Sequence, residues 1–295
     1  GFMQSLYICN VSSNYISRVC LDSDKEEKIY ISMDKKLLGS HGIDLSDEKL
    51  YVAANDNYNF YEIDIKSKNV KNYYVGMLTN DLKLKNNYMY LICSENNCLI
   101  IYDMVEDHLC YEIECGNYPH SMDISDKSKL ISITNMHNNQ LTIVNYEEND
   151  FVRNIRTGNL PMKSKFHRDG RHIFVCESNL GDEVEGTFSV YVSQTGEKYK
   201  SITLHKSPID MCFDYEANIV FVSNHLGNCI SVIDLSSFKE ISRIDICGTP
   251  RGIYKRGRFL YVVISDKDKL LKYDIYTKDE EFIKIGSEPT CIYSH

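Results

Sequence analysis

The chain has 295 residues, 43% of them hydrophobic and 25% charged, with 33 basic against 42 acidic side chains and a net charge of −9. This composition excludes wholesale disorder and collagen-like structure, and no run approaches the roughly 18 consecutive apolar residues of a membrane span. The acidic balance argues against a nucleic-acid binder held by phosphate contacts.

Gly1 and Phe2, ahead of Met3, are left out of the fold reading. The residues after them run straight into a strand-like segment, without the basic start and apolar run of about 7–15 residues that a secretory signal needs. Eleven cysteines are an odd number, and there is no C-x-x-C pair; the nearest approaches are Cys93/Cys98 and Cys110/Cys115. Neither a disulfide framework nor a zinc ribbon is therefore expected. Cys9, Cys93, Cys176, Cys212 and Cys247 stand singly in apolar strand segments and read as small buried hydrophobes. Together these features predict a cytoplasmic protein.

Three strands open the chain, near residues 6–9, 15–20 and 28–31. A unit of about 40 residues then repeats, beginning near 40, 79, 119, 161, 208 and 250. The five prolines mark it: Pro119, Pro161, Pro208, Pro250 and Pro289 fall 42, 47, 42 and 39 residues apart. Four follow a glycine closely, as in Gly116-Asn-Tyr-Pro119 and Gly248-Thr-Pro250. After each joint comes a short apolar run, then a polar turn such as Ser125-Asp126-Lys127-Ser128. A strand rich in aromatic and β-branched residues follows, as in Leu50-Tyr51-Val52 or Val220-Phe221-Val222. An Asn/Ser/Asp-rich loop leads to an alternating strand such as Ser231-Val232-Ile233-Asp234, and a last strand closes on the next glycine. Short period-2 runs with turns every eight to twelve residues, and no helical stretch, are the all-β pattern.

Four strands in about 40 residues make the blade of a β-propeller. Six complete units leave three strands at the start of the chain and an orphan first strand from Pro289 at its end. The prediction is an all-β, seven-bladed propeller with four antiparallel strands per blade, one blade being closed jointly by N- and C-terminal strands. It occupies residues 1–295 as a single domain.

Phe221-Val222-Ser223-Asn224 followed by Ile230-Ser231-Val232-Ile233-Asp234, with Leu50-Tyr51-Val52-Ala53-Ala54-Asn55, resembles the YVTN-type β-propeller repeat. The resemblance covers nearly the whole chain. It implies that the aromatic residue fills the contact between blades and that the Asn serves a loop. The chain has no Trp, so the Trp-Asp dipeptide of WD-type repeats is absent, as is the Gly-Gly pair of kelch repeats. Family members include binding modules, surface proteins and enzyme-associated subunits, so no single activity follows.

First strands line a propeller's channel, and the joints share one face with the loops between second and third strands. The residues after the proline slot are His41, Asn80, His120, Met162, Ile209, Arg251 and Thr290. Of these, His41, Asn80, His120 and Arg251 form a candidate mouth for an anion or polar ligand. No third His and no carboxylate falls in that ring, so no metal site is expected. Loops on the same face add Asp56, His137 and His225. The unit from Pro161 to Pro208 carries about five extra residues, placed in an acidic insertion with Asp182, Glu183 and Glu185 as the partner-specific element. Lys255-Arg256-Gly257-Arg258 on the opposite face reads as a hydrated basic turn.

No G-x-S-x-G, H-E-x-x-H, P-loop or G-x-G-x-x-G motif occurs. The expected function is a non-catalytic binding or scaffold propeller, without cofactor, that takes a protein, a peptide or a small polar ligand as a monomer. The alternative is a hydrolase. Seven-bladed lactonases are similar in blade pattern and place His, Arg and carboxylates at the channel mouth, and Tyr118-Pro119-His120-Ser121 resembles their joints. A surface-layer propeller, the third reading, requires secretion.

Overall fold

The computed structural model describes residues 4–33, 39–55, 57–179 and 184–294. Among them 28 strands form seven antiparallel sheets of four. Six blades are continuous in sequence: 40–74, 81–114, 119–156, 161–203, 208–245 and 250–284. The seventh is composite, with Pro289–Ser294 innermost, followed by Ser5–Asn10, Tyr15–Cys20 and Lys25–Tyr30. Tyr7 pairs with Tyr293 and Ile8 with Ile292, so the ring closes through a backbone ladder. Full closure leaves no blade without a neighbour on either side. No helix among the described residues is long and apolar enough to cross a membrane.

Burial explains the pattern of each strand. Outer strands such as Lys239–Asp245 are mostly exposed, whereas second strands such as Leu130–Asn135 are buried at every position. Successive side chains of a strand point to opposite faces, and here each face meets a different blade. Tyr7 and Cys9 pack against Ile43 and Val52 of the first blade, while Leu6 and Ile8 pack against Tyr261 and Val263 of the sixth. Seven hydrophobic clusters result, one at each blade-to-blade contact. The aromatic positions do fill these contacts, as Phe221 does between the fifth and sixth blades.

At Asn10, Asn135 and Asn224 the Asn of the repeat reaches the third strand rather than serving a loop. Asn224 is fully buried, and its Nδ2 donates to Ser231 Oγ at 2.8 Å, which donates in turn to Glu240 Oε2 at 2.5 Å. Asn10–Ser17–Glu26 and Asn135–Thr142–Asn154 repeat this relay from second to third to outer strand. In the fourth blade Glu177 takes the place of the Asn and accepts from Tyr191 Oη, Thr187 Oγ1 and Gly158 N at 2.5–2.7 Å. The asparagines that do serve loops are others: Asn97 and Asn139 accept the backbone N–H of Tyr118 and Leu160, which fixes the joints.

Two further expectations need correction. Cys247 is exposed, because it lies past the end of an outer strand, although Cys9, Cys93, Cys176 and Cys212 are buried. The basic turn is also not simply hydrated. Lys255 pairs with Asp214 of the neighbouring blade at 2.6 Å, and Arg258 pairs with Asp274 at 2.9 Å.

The sixth inner strand approaches the closing strand so tightly that a Cβ on Gly252 would lie 2.8 Å from Thr290 O and 2.9 Å from Ile292 N. Gly252→Ala is therefore expected to cost about 1–3 kcal/mol through overpacking against backbone. Gly257→Asn, at an open turn with φ 57°, should stay within about 0.5 kcal/mol of the parent. Urea melts of both variants measure the difference.

Candidate functional site

The inner strands enter the channel at the glycine and proline joints. All seven residues after the proline slot, including His41, Asn80, His120 and Arg251, line one cavity at this mouth. The expected ring is thus assembled, but it is not complete. Asp81, Lys163, Asp210, Cys291 and Tyr293 line the same cavity, so carboxylates do reach it, contrary to expectation. For Lys163 and Asp210 the reason is a register shift at the top of the inner strand, seen at Ser40/Gly42, Pro119/Ser121, Pro161/Lys163 and Pro208/Asp210. A bulge breaks strict alternation and lets consecutive residues face the channel, so Met162 and Lys163 both do. Strand periodicity alone assigns only one of each pair.

The cavity at the mouth is about 40 Å³, little more than the roughly 30 Å³ that one water occupies in the liquid. It can therefore accept one small head group rather than a whole ligand. Below it, past Lys163, Asp210 and Tyr293, the channel opens into a second cavity of about 250 Å³ reached by Lys83, Lys165 and Asp123.

The mouth holds charges of both signs. Asp81 Oδ1 accepts from Leu82 N at 2.9 Å and Oδ2 from Met122 N at 3.1 Å. Asp210 Oδ1 accepts from Met211 N at 2.8 Å and lies 3.7 Å from Lys165 Nζ. Both carboxylates are thus engaged with backbone. The side chains of Arg251 and Lys163, both half-buried, make no hydrogen bond or ion pair with any described residue. Burial disfavours the Lys163 ammonium, but the carboxylates around it, Asp210 foremost, hold its pKa above the ordinary value. Burial lowers the Arg251 pKa, from a starting point so high that the guanidinium stays charged. His120 Nδ1 and Thr290 Oγ1 are buried and have no hydrogen-bond partner among the described residues. Such orphaned groups call for a partner.

Burial, followed by the charge of Arg251, pushes the His41 pKa down to about 4. Burial, followed by His41 and Arg251, pushes His120 down to about 3. Both rings are neutral at pH 7. Among the loop residues, His137 is exposed and stacks on Tyr118 at 4.5 Å. His225 Nδ1 lies 3.2 Å from Pro250 O, beside Arg251. Glu185 is exposed on the insertion. Asp56, Asp182 and Glu183 lie outside the described residues. No group of three or more His, Cys, Asp or Glu among the described residues has the placement to hold a metal ion.

The fold and its mouth define a seven-bladed β-propeller. No protein-family model matches the chain, and no curated protein matches it. Solved structures do. A hydrazine synthase of Kuenenia stuttgartiensis is 14% identical, with a TM-score of 0.77 over 89% of this chain and 94% of that one. A protein from Lactobacillus plantarum is 13% identical, with a TM-score of 0.76 over 99% and 100%. A Bacteroides fragilis protein provisionally named 6-phosphogluconolactonase is 12% identical, with a TM-score of 0.75 over 99% and 98%. At these identities the likeness carries the architecture and not the chemistry.

The depressed histidines have a consequence for stability. Between the ordinary value of 6.5 and about 4, the unfolded chain binds protons that the folded rings refuse. Their contribution is complete above about pH 6.5 and is lost as pH falls through this window. Urea midpoints should decline from pH 7 to 4.5, and His120→Asn should flatten the decline. A parent profile that is flat over this range would contradict it.

Proposed function

We propose that this protein is a non-catalytic binding propeller whose channel mouth takes the acid head group of a small ligand, a carboxylate or a phosphate. The observation that carries the reading is the pair Arg251 and Lys163, half-buried cations whose side chains make no direct hydrogen bond or ion pair with any described residue, beside the orphaned His120 Nδ1 and Thr290 Oγ1. An oxyanion supplies acceptors to all four donors at once. The Thr290 hydroxyl donates its own O–H, and neutral His120 carries one ring proton, which Nδ1 can bear. The small cavity admits the head group, and the ligand body then rests among the loops bearing His137 and His225. The YVTN-type resemblance fits a binding role, and a peptide ligand would enter through a side-chain or terminal carboxylate. The setting proposed for this is the cytoplasm, with the propeller acting as a monomer.

Hydrolysis of a lactone is the competing use of the mouth. It needs a carboxylate or histidine positioned to activate water; Asp81 uses both oxygens on backbone N–H groups, Asp210 uses one on Met211 N, and burial makes His41 and His120 weak bases. Binding is therefore favoured.

Calorimetric titration with inorganic phosphate, citrate and gluconate tests the proposal. At least one should bind, Arg251→Gln should weaken it by about tenfold or more, and Arg251→Lys should retain part of the affinity. Affinity unchanged in Arg251→Gln would overturn the reading. So would turnover of 6-phosphogluconolactone that is lost in His120→Ala.

A further inference from the structure

On the face opposite the mouth, the fourth and fifth blades leave a cleft between them of about 240 Å³. It shares no residue with the channel. Its apolar floor is built from both blades. Phe174, on the second strand of the fourth blade, and Phe238, in the last turn of the fifth, stand 6.4 Å apart between ring centroids, with Val190 and Leu235 beside them.

Phe238 occupies an unusual backbone position. Its φ is 51°, and the matching turns of the other six blades carry Asp24, Lys68, Asp107, Asn149, Gly196 and Lys278 there. A bulky aromatic residue in the left-handed region is an outlier, tolerated when the surroundings over-determine it. Here the ring is held by stacking on Phe188 at 6.1 Å and 14°. The outcome is a largely buried aromatic ring that lines the cleft at a turn where turn chemistry alone favours a small polar residue.

The rim supplies a charge. Lys200 Nζ lies 5.4 Å from the Tyr199 ring centroid and 6.0 Å from that of Phe238, and it makes no ion pair with any described residue. The nearby Asp169 does not oppose an anion freely. Its Oδ2 lies 2.7 Å from His172 Nδ1, and its Oδ1 accepts from the backbone N–H of Arg171 at 2.7 Å.

We infer that this cleft is a second binding site, for a small aromatic acid: its ring lies against Phe174 and Phe238, and its acid group pairs with Lys200. Size supports a one-ring ligand, since a cavity of about 150 Å³ accommodates benzene and the remainder leaves room for the acid. A cationic aromatic ligand would meet Lys200, and an aliphatic acid would forgo the ring contacts.

Phenylacetate is the probe, titrated into the intact protein by calorimetry and followed by saturation-transfer NMR, with acetate and 4-cresol as controls. Phenylacetate should bind more tightly than either control. Binding should weaken about tenfold in Lys200→Met and persist in Lys200→Arg. Phe238→Asn, which suits the turn backbone but gives up a buried ring, should weaken it as well, its urea melt confirming that the variant is folded. Arg251→Gln should leave it unchanged, which separates this site from the mouth. Acetate binding as tightly as phenylacetate, insensitivity to Lys200→Met, or loss in Arg251→Gln would overturn the inference. A tyrosine-containing peptide that binds where free phenylacetate does not would also overturn it, in favour of protein docking.

Discussion

Adjacent inner strands of the ring belong to different sheets and exchange no ladder hydrogen bonds with one another. Aspartates bridge this gap. Asp44 Oδ2 accepts the N–H of Leu84 at 2.7 Å, Asp81 Oδ2 that of Met122 at 3.1 Å, and Asp123 Oδ2 that of Phe166 at 2.8 Å. Each carboxylate reaches from one blade to the backbone of the next, where an N–H left without a partner would be costly. On the other side of the ring lysines take over, with Lys165 donating to Met211 O at 2.8 Å and Lys255 pairing with Asp214. The character of the channel follows from this constraint. Asp81 is drawn into joining blades, whereas Asp210 bonds within its own blade and stabilises the charge of Lys163.

The same economy operates across each blade. Buried polar groups need partners, and the Asn–Ser/Thr–Glu/Asn relays carry that need outward, strand by strand, until it meets the exposed edge. The relay begins directly under the joint. In the fourth blade Glu177 accepts the N–H of Gly158, and in the seventh Ser17 Oγ accepts that of Gly286. Joint geometry, and with it the placement of the mouth residues, is thus tied to the packing of the whole blade.

The ring was readable in the sequence because its punctuation is local. The glycine and proline joints, the polar turns and the alternating strands each act within a few residues, and the orphan strand after Pro289 had only one place to pair. The mouth was half readable. His41, Asn80, His120 and Arg251 sit at a fixed offset from the joints, whereas Lys163 and Asp210 reach the channel only because a bulge shifts the register. The cleft was not readable. His172 and Lys200 lie on different strands and Phe238 in a turn, across two blades, and no linear spacing brings them together. Phe238 itself violates the turn preferences by which its position would be recognised.

The way the seventh blade is completed also governs how the molecule would respond to tension. Leu6 lies opposite Ser294, and Asn10 opposite Pro289, so the outward-leading ends of these two antiparallel strands emerge side by side. A load applied at both would peel the ladder apart one rung at a time, starting from its free end, instead of shearing all rungs together. The ring would open like a clasp at small force, and the six continuous blades would be left intact behind it.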